Sequence, residues 1–478
     1  GHSVTLTGLL ANTTYNYRVK SRDAAGNLAM SANQSFVTLS QASSGIPSTL
    51  GWFQIPNTQQ GDVCPPDAFG YSFSSKCGSV IGAWGGGIAD TARNRIIVWG
   101  GGHGDYAGNE LYALELSTLT MKRLNNPSPP TSGSSPAASD GKANSRHTYN
   151  GLANVEHLDK MFAFSGSLYS SGVAVNDTWL LDLATLTWKR VSATGPSGDY
   201  NVHAHYDAVT KKVFVADRSS LWRFDADTEQ YTRVGSLGMG LATTSVIDPK
   251  RRILFVFGTD WGGSKQFSAI NVDTGQPVSM TLSGCDGLIS SAAPGNGEGS
   301  GPGLAYDPVQ DRIVGWVTGN TVYIFNPDTQ SCTTQSFTGG PGAPTQQGIY
   351  GRFRYFPALG VFALVNQSNQ DSYTLRLTPA QSAAQAGEVV ISGLAAVNIT
   401  ASSATVVWST SMWADGQIAC GVFAPDGIRS PLDLTPAVNH AHTLNFLDPD
   451  MTYQCQAMSR NSAGQQAVSP VFSFRTAK

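Results

Sequence analysis

The chain has 478 residues, enough for more than one hydrophobic core, and carries a net charge of −3 with only 13% charged side chains. That balance lacks the basic footprint of a nucleic-acid binder, and no apolar run is long enough to span a bilayer as a helix. Fifty-two glycines and 24 prolines punctuate short hydrophobic runs, so an all-β, multidomain, secreted chain of bacterial origin is expected.

In chain order, residues 1–40 come first, and they repeat the end of the chain. Leu9 to Tyr15 matches Leu447 to Tyr453, and Ala25-Gly26 and Phe36 recur at the same offsets as Ala463-Gly464 and Phe474. The C-terminal copy has strands upstream, including Trp408 in Ala404-Thr-Val-Val-Trp408, whereas the first copy begins in mid-domain. Trp408, the Leu447-Asp-Pro-Asp-Met-Thr-Tyr453 corner and the alternation through Ser473-Phe474-Arg475 resemble a fibronectin type III module. The resemblance covers 393–478 fully and 1–40 by half. It implies a spacer or adhesion unit whose tyrosine bonds backbone. It also implies a chain cut from a longer protein, or one whose half-module assembles with a partner copy by strand donation.

Residues 50–380 carry a second repeat. A hydrophobic residue, an Asp, a turn and a strand recur at Ala89-Asp90, Tyr206-Asp207, Ile247-Asp248 and Tyr306-Asp307, with looser copies at Leu152-Ala153 and Tyr355-Phe356. Glu115-Leu-Ser-Thr118, Asp182-Leu-Ala-Thr185, Asp225-Ala-Asp-Thr228, Asn271-Val-Asp-Thr274 and Asn326-Pro-Asp-Thr329 close the units, with threonines 67, 43, 46 and 55 residues apart. That is the period of a four-stranded propeller blade. Six blades are counted, a seventh staying open, and the isolated strand Leu50-Gly-Trp52-Phe-Gln-Ile55 is expected to complete the sixth against Tyr373-Thr-Leu375. The glycine run Trp99-Gly100-Gly101-Gly102 and the strand-end Trp179 and Trp188 resemble a kelch-type propeller of the galactose oxidase superfamily. The fold expected is thus all-β: a β-propeller over 50–380, a linker on each side at 41–49 and 381–392, a half-sandwich at 1–40 and a sandwich at 393–478.

Six cysteines with no Cys-x-x-Cys pair argue against a zinc site and for disulfides in an oxidising compartment. Their positions suggest Cys64–Cys77, Cys285–Cys332 and Cys420–Cys455.

Loops between second and third strands, and loops entering the next blade, emerge on one propeller face. His103, Tyr106, Arg146, His147, Tyr149 and His205 are therefore the candidate catalytic residues, with His203 in the same loops and Tyr169, Trp261 and Tyr350 as further aromatics. The plain alternative is that such residues bond neighbouring blades. Two chemistries use the cluster. In a uronate polysaccharide lyase, Arg146 or His147 neutralises a carboxylate while His103, Tyr106 or Tyr149 serve as base and acid. A copper-dependent oxidase resembling galactose oxidase needs a Tyr-His dipeptide and a free cysteine, which this chain lacks, although His440 or His442 could serve as ligands. A non-catalytic glycan-binding or filament-forming protein is the third reading. A polysaccharide or surface glycan is the expected partner, and the residues specify no cofactor or metal.

Overall fold

The computed structural model describes residues 14–22, 28–37, 45–260, 264–289, 301–378, 389–461 and 466–478. The chain divides into two compact units, Ser43–Ala380 on one hand and Gly1–Ala42 with Gln381–Lys478 on the other. Trp261 and the Ala25-Gly26 and Ala463-Gly464 pairs lie outside the described residues.

Two turn chemistries build the first unit. Asp90, Asp207, Asp248 and Asp307 end innermost strands, and their carboxylates accept N–H groups of their own turns, from Arg93, Thr210, Arg251 and Gln310 among others. In all six blades, with or without that Asp, the turn finishes on a left-handed residue immediately before the second strand: Asn94, Asp159, Lys211, Arg252, Asp311 and Gly360, at φ from 49° to 61°. At the third turn Asp182, Asp225, Asn271 and Asn326 cap in the same way, accepting from the N–H of Thr185, Asp227, Thr274 and Asp328. The recurring Asp and Asn are therefore hairpin-forming residues.

Six antiparallel blades result. Blade one is Gly86–Asp90, Arg95–Trp99, Tyr112–Glu115 and Thr120–Arg123; blade two is Leu152–Val155, Lys160–Phe164, Thr178–Asp182 and Trp188–Val191. Blade three is His203–Asp207, Lys212–Ala216, Ser220–Asp225 and Gln230–Ser236. Blade four has Ala242–Asp248, Ile253–Thr259 and Lys265–Asn271, with Val278 donating its N–H to Ala269 at the outer edge. Blade five is Gly303–Asp307, Arg312–Thr318, Thr321–Asn326 and Ser331–Ser336. In blade six Phe353–Phe356, Val361–Leu364 and Ser372–Arg376 are joined by Gly51–Ile55, with Trp52 opposite Leu375 in antiparallel register. The early strand thus closes the ring, and no seventh blade occurs among the described residues. Blades pack through apolar faces: Ile97 and Trp99 of blade one meet Met161 and Trp179 of blade two, each buried aliphatic chain contributing about 1.5–3 kcal/mol. Ion pairs join blades at the turn end, Arg93 to Asp159 (2.6 Å) and Arg252 to Asp207 (2.7 Å).

All six cysteines are paired, as Cys64–Cys77, Cys285–Cys332 and Cys420–Cys455. This pattern fits an extracellular, oxidising setting. No helix among the described residues is long and apolar enough to cross a membrane.

The C-terminal segment is a two-sheet sandwich. Its long strand Ser403–Gly421 pairs with Ile391–Val397 and Asp433–Asn445 along its first part and with Thr452–Arg460 along its second, where Cys420 lies opposite Cys455. That disulfide stabilises the sandwich by about 3 kcal/mol. The Tyr453 hydroxyl accepts the N–H of Asp448 (2.8 Å), the backbone role expected of it. The N-terminal copy keeps the same register: Tyr15 lies opposite Phe36 as Tyr453 lies opposite Phe474, and Lys20 opposite Met30 as Met458 lies opposite Val468. Even the serine that bonds across the hairpin recurs, Ser31 Oγ accepting from Val19 and Ser469 Oγ from Ala457. Burial differs, with Val19 59% exposed where Ala457 is fully buried.

Candidate functional site

The glycine run after Trp99 sets the site. Gly101 and Gly102 take φ of 118° and 87°, and a Cβ on Gly102 would lie 2.4 Å from both the Arg146 Cα and the His147 N. Without a side chain, the loop docks directly on the Ser145–His147 segment, and the Gly102 N–H donates to Ser145 Oγ (2.9 Å). The docking carries His103 and Asp105 to His147. The Asp105 carboxylate lies 2.8 Å from His147 Nε2, and the His103 ring is 5.9 Å from the His147 ring.

The other wall comes from the segment entering blade one. Trp84, itself at a φ of 49°, packs on His147 with centroids 4.8 Å apart and rings tilted by 31°, and its carbonyl accepts the Tyr149 N–H (2.8 Å). Tyr149 stands 6.1 Å from His147 and 5.8 Å from Tyr350, ring to ring. Tyr71 and Tyr169 meet edge to face at 6.2 Å, and the Tyr71 hydroxyl accepts the Ala107 N–H.

Electrostatics define the pair. Burial holds the His147 imidazole below its usual pKa against the opposing pull of Asp105, while the hydrogen bond to His147 holds the Asp105 carboxyl below the usual carboxylate range. At neutral pH the ring is neutral with its Nε2–H donated to an ionised carboxylate, which leaves the lone pair on Nδ1. Such a dyad can accept a proton from a bound substrate.

His103, His147 and Tyr149 are thus brought together, and Tyr106, Arg146 and His205 are committed elsewhere. Arg146 and His147 are neighbours on a short strand, so their side chains leave on opposite sides. The Arg146 guanidinium is buried and grips Asp177 with two nitrogens (2.7 and 3.2 Å) and the carbonyls of Asn144, Ser165 and Pro136. It has no free edge for a substrate carboxylate. Tyr106 is fully buried beside Phe73 and donates its hydroxyl to Glu110 (2.7 Å); burial, with that carboxylate, pushes its pKa up. His205 and His203 lie in the innermost strand of blade three and both reach Ser245 Oγ at 2.6 Å. Burial depresses His203 to about 3 and His205 well below the usual imidazole value.

Trp84, Asp105 and Tyr71 belong to the site's surroundings but not to the residues singled out from the sequence. Asp105 was legible as a carboxylate two residues beyond His103; Trp84 lies in a blade-entry segment with no repeat signature. His440 and His442 stack on Trp408 in the terminal sandwich. Among the described residues no three His, Cys, Asp or Glu side chains converge to hold a metal.

No family model and no curated protein matches the chain. Solved structures do. YjhT is 12% identical over 61% of this chain and 92% of its own, with a TM-score of 0.41. A nidogen/laminin complex is 14% identical over 58% and 92%, with a TM-score of 0.34. The extracellular domain of a putative one-component system from B. thetaiotaomicron is 11% identical over 96% of this chain and 62% of that domain, with a TM-score of 0.34.

Proposed function

We propose that the chain is a secreted, kelch-type propeller protein with fibronectin type III-like modules, directed at an acidic polysaccharide, and that its ring face cleaves a uronate glycan by β-elimination. The Asp105–His147 pair is the observation that carries this reading. His147 Nδ1 takes the proton from the carbon next to the uronate carboxylate. The electron pair forms a carbon–carbon double bond, the bond to the glycosidic oxygen breaks, and the Tyr149 hydroxyl gives its proton to the departing oxygen. His103, on the exposed side of His147, takes the carboxylate-binding role for which Arg146 has no free edge. Trp84 and the Tyr71–Tyr169 pair supply the aromatic surface on which sugar rings pack.

Incubating the full chain with pectate, alginate and glycosaminoglycans tests it. A rise in ultraviolet absorbance from unsaturated ends is expected, and its absence with every polyuronate sinks the lyase reading. Non-catalytic glycan binding is the second reading, and one observation favours it: His147 and Tyr149 are only 2% and 7% exposed, a tight approach for a reacting sugar. Calorimetric binding of a polyuronate without product formation would support that reading.

A further inference from the structure

Arg352 and Arg354 stand two residues apart where the chain enters blade six. Arg352 is fully buried, and carbonyls surround its guanidinium: Nε donates to Gly85 (2.9 Å), Nη1 to Val365 (2.5 Å) and Asn366 (2.7 Å), and Nη2 to Gly348 (2.6 Å). Arg354 lies on the innermost strand, where the six blades meet around the axis. Its Nε donates to Gly351 (2.9 Å) and its Nη2 to Gly87 (3.2 Å), while Nη1 makes no hydrogen bond among the described residues. A Cβ on Gly351 would sit 2.6 Å from that Nη2, so the glycine leaves room for the guanidinium.

Charge is the anomaly. Arg146 is matched with Asp177 and Arg95 with Asp90 and Glu115, whereas Arg376 at the far end of blade six bonds only the carbonyls of Pro47 and Gly360. Neither Arg352 nor Arg354 forms an ion pair with a carboxylate among the described residues. Burial pulls Arg352 down to about 9, against a smaller opposing pull from Tyr350, and Arg354 to about 10, and no carboxylate raises either. Arg354 charge further disfavours protonation of His205, so that neighbour is neutral. Arg352 is enclosed without a counter-charge, which is costly because carbonyl dipoles satisfy hydrogen bonds without neutralising the ion, and the half-buried Arg354 leaves Nη1 open toward the ring centre. Buried side chains without partners also lie at the inner-strand ends, Asn150 Nδ2 by blade two and Thr244 Oγ1 in blade four, 2% and 1% exposed.

We infer that the centre of the ring binds one small anion, of the halide or carboxylate class, on the Arg354 guanidinium. Nη1 is the donor that meets it, and Arg352 contributes through its field alone because its nitrogens are engaged with carbonyls. This site is independent of the Asp105–His147 pair.

The test follows thermal unfolding of the full chain in a buffer whose other anions are bulky sulfonates, while sodium bromide or sodium formate replaces sulfonate at constant ionic strength. A saturable rise of about 2–4 °C is expected, absent in Arg354→Gln. An equal rise in the variant, or none in the parent protein, overturns the inference. The two salts separate the sources: a response to bromide alone assigns an inorganic ion, a response to formate alone assigns a carboxylate, and either supports the site. Should Arg354→Gln fail to fold, bromide-soaked and formate-soaked crystals of the parent protein decide. Bromide anomalous signal or formate density within hydrogen-bond distance of Nη1 supports the inference, and neither ion at the ring centre overturns it.

Discussion

Two sets of histidines enter the propeller through similar blade-entry loops, and they end in opposite states. His147 precedes its innermost strand, sits on a two-residue strand of its own and meets a carboxylate brought by the neighbouring blade's glycine loop. His203 and His205 lie inside the innermost strand of blade three, where every second side chain turns against the next blade, and they share the Ser245 hydroxyl. The histidine before the strand meets a carboxylate; those within it become part of the packing.

Substitutions at the two places should separate these roles. His147→Ala is expected to lower formation of unsaturated products by about 100-fold to 10,000-fold per folded molecule, a loss far larger than any change in the folded fraction. Equal activity would remove the imidazole from the mechanism. His205→Ala should do the reverse, costing about 2–4 kcal/mol in denaturant unfolding through the lost hydrogen bond and the cavity, with the folded protein's turnover unchanged.

The pH dependence carries the same contrast. His203 and His205 have folded pKa values far below the unfolded value of about 6.5, so the unfolded chain binds their protons first. Their contribution is fully present above about pH 6.5 and is lost as pH falls toward about 3, the folded value of His203, at roughly 1.4 kcal/mol per unit for each ring. His203→Gln should flatten that slope in urea titrations between pH 6.5 and 4; an unaltered slope would mean the ring is not buried neutral.

Smaller effects test the orientation of the pair and the residues set aside. Asp105→Asn is expected to reduce turnover by about 10-fold to 100-fold, because an amide no longer holds the ring with its lone pair on Nδ1. A loss as large as that of His147→Ala would make Asp105 more than an orienting group. Tyr106→Phe should leave turnover unchanged and cost about 1 kcal/mol, since Glu110 keeps the Tyr112 hydroxyl as a donor (2.7 Å). A turnover defect there would return Tyr106 to the site.

The ring, its closure and the three disulfides were legible in the chain because they rest on local chemistry. Asp and Asn cap turns wherever they stand, the turns recur with the blade period, and Trp52 sits in a strand with no hairpin partner beside it in sequence. The strand pairs within residues 14–22 and 28–37 are legible for the same reason, repeating the register of their C-terminal counterparts. Which polar residues face one another was decided only by the tertiary structure. Arg146 and His147 are adjacent in the chain yet separated by strand alternation; Trp84 and Asp105 are remote from each other yet both touch His147. The side on which a strand places a residue, and the loop that a neighbouring blade brings against it, depend on register and packing between segments far apart in sequence, and no local pattern encodes them.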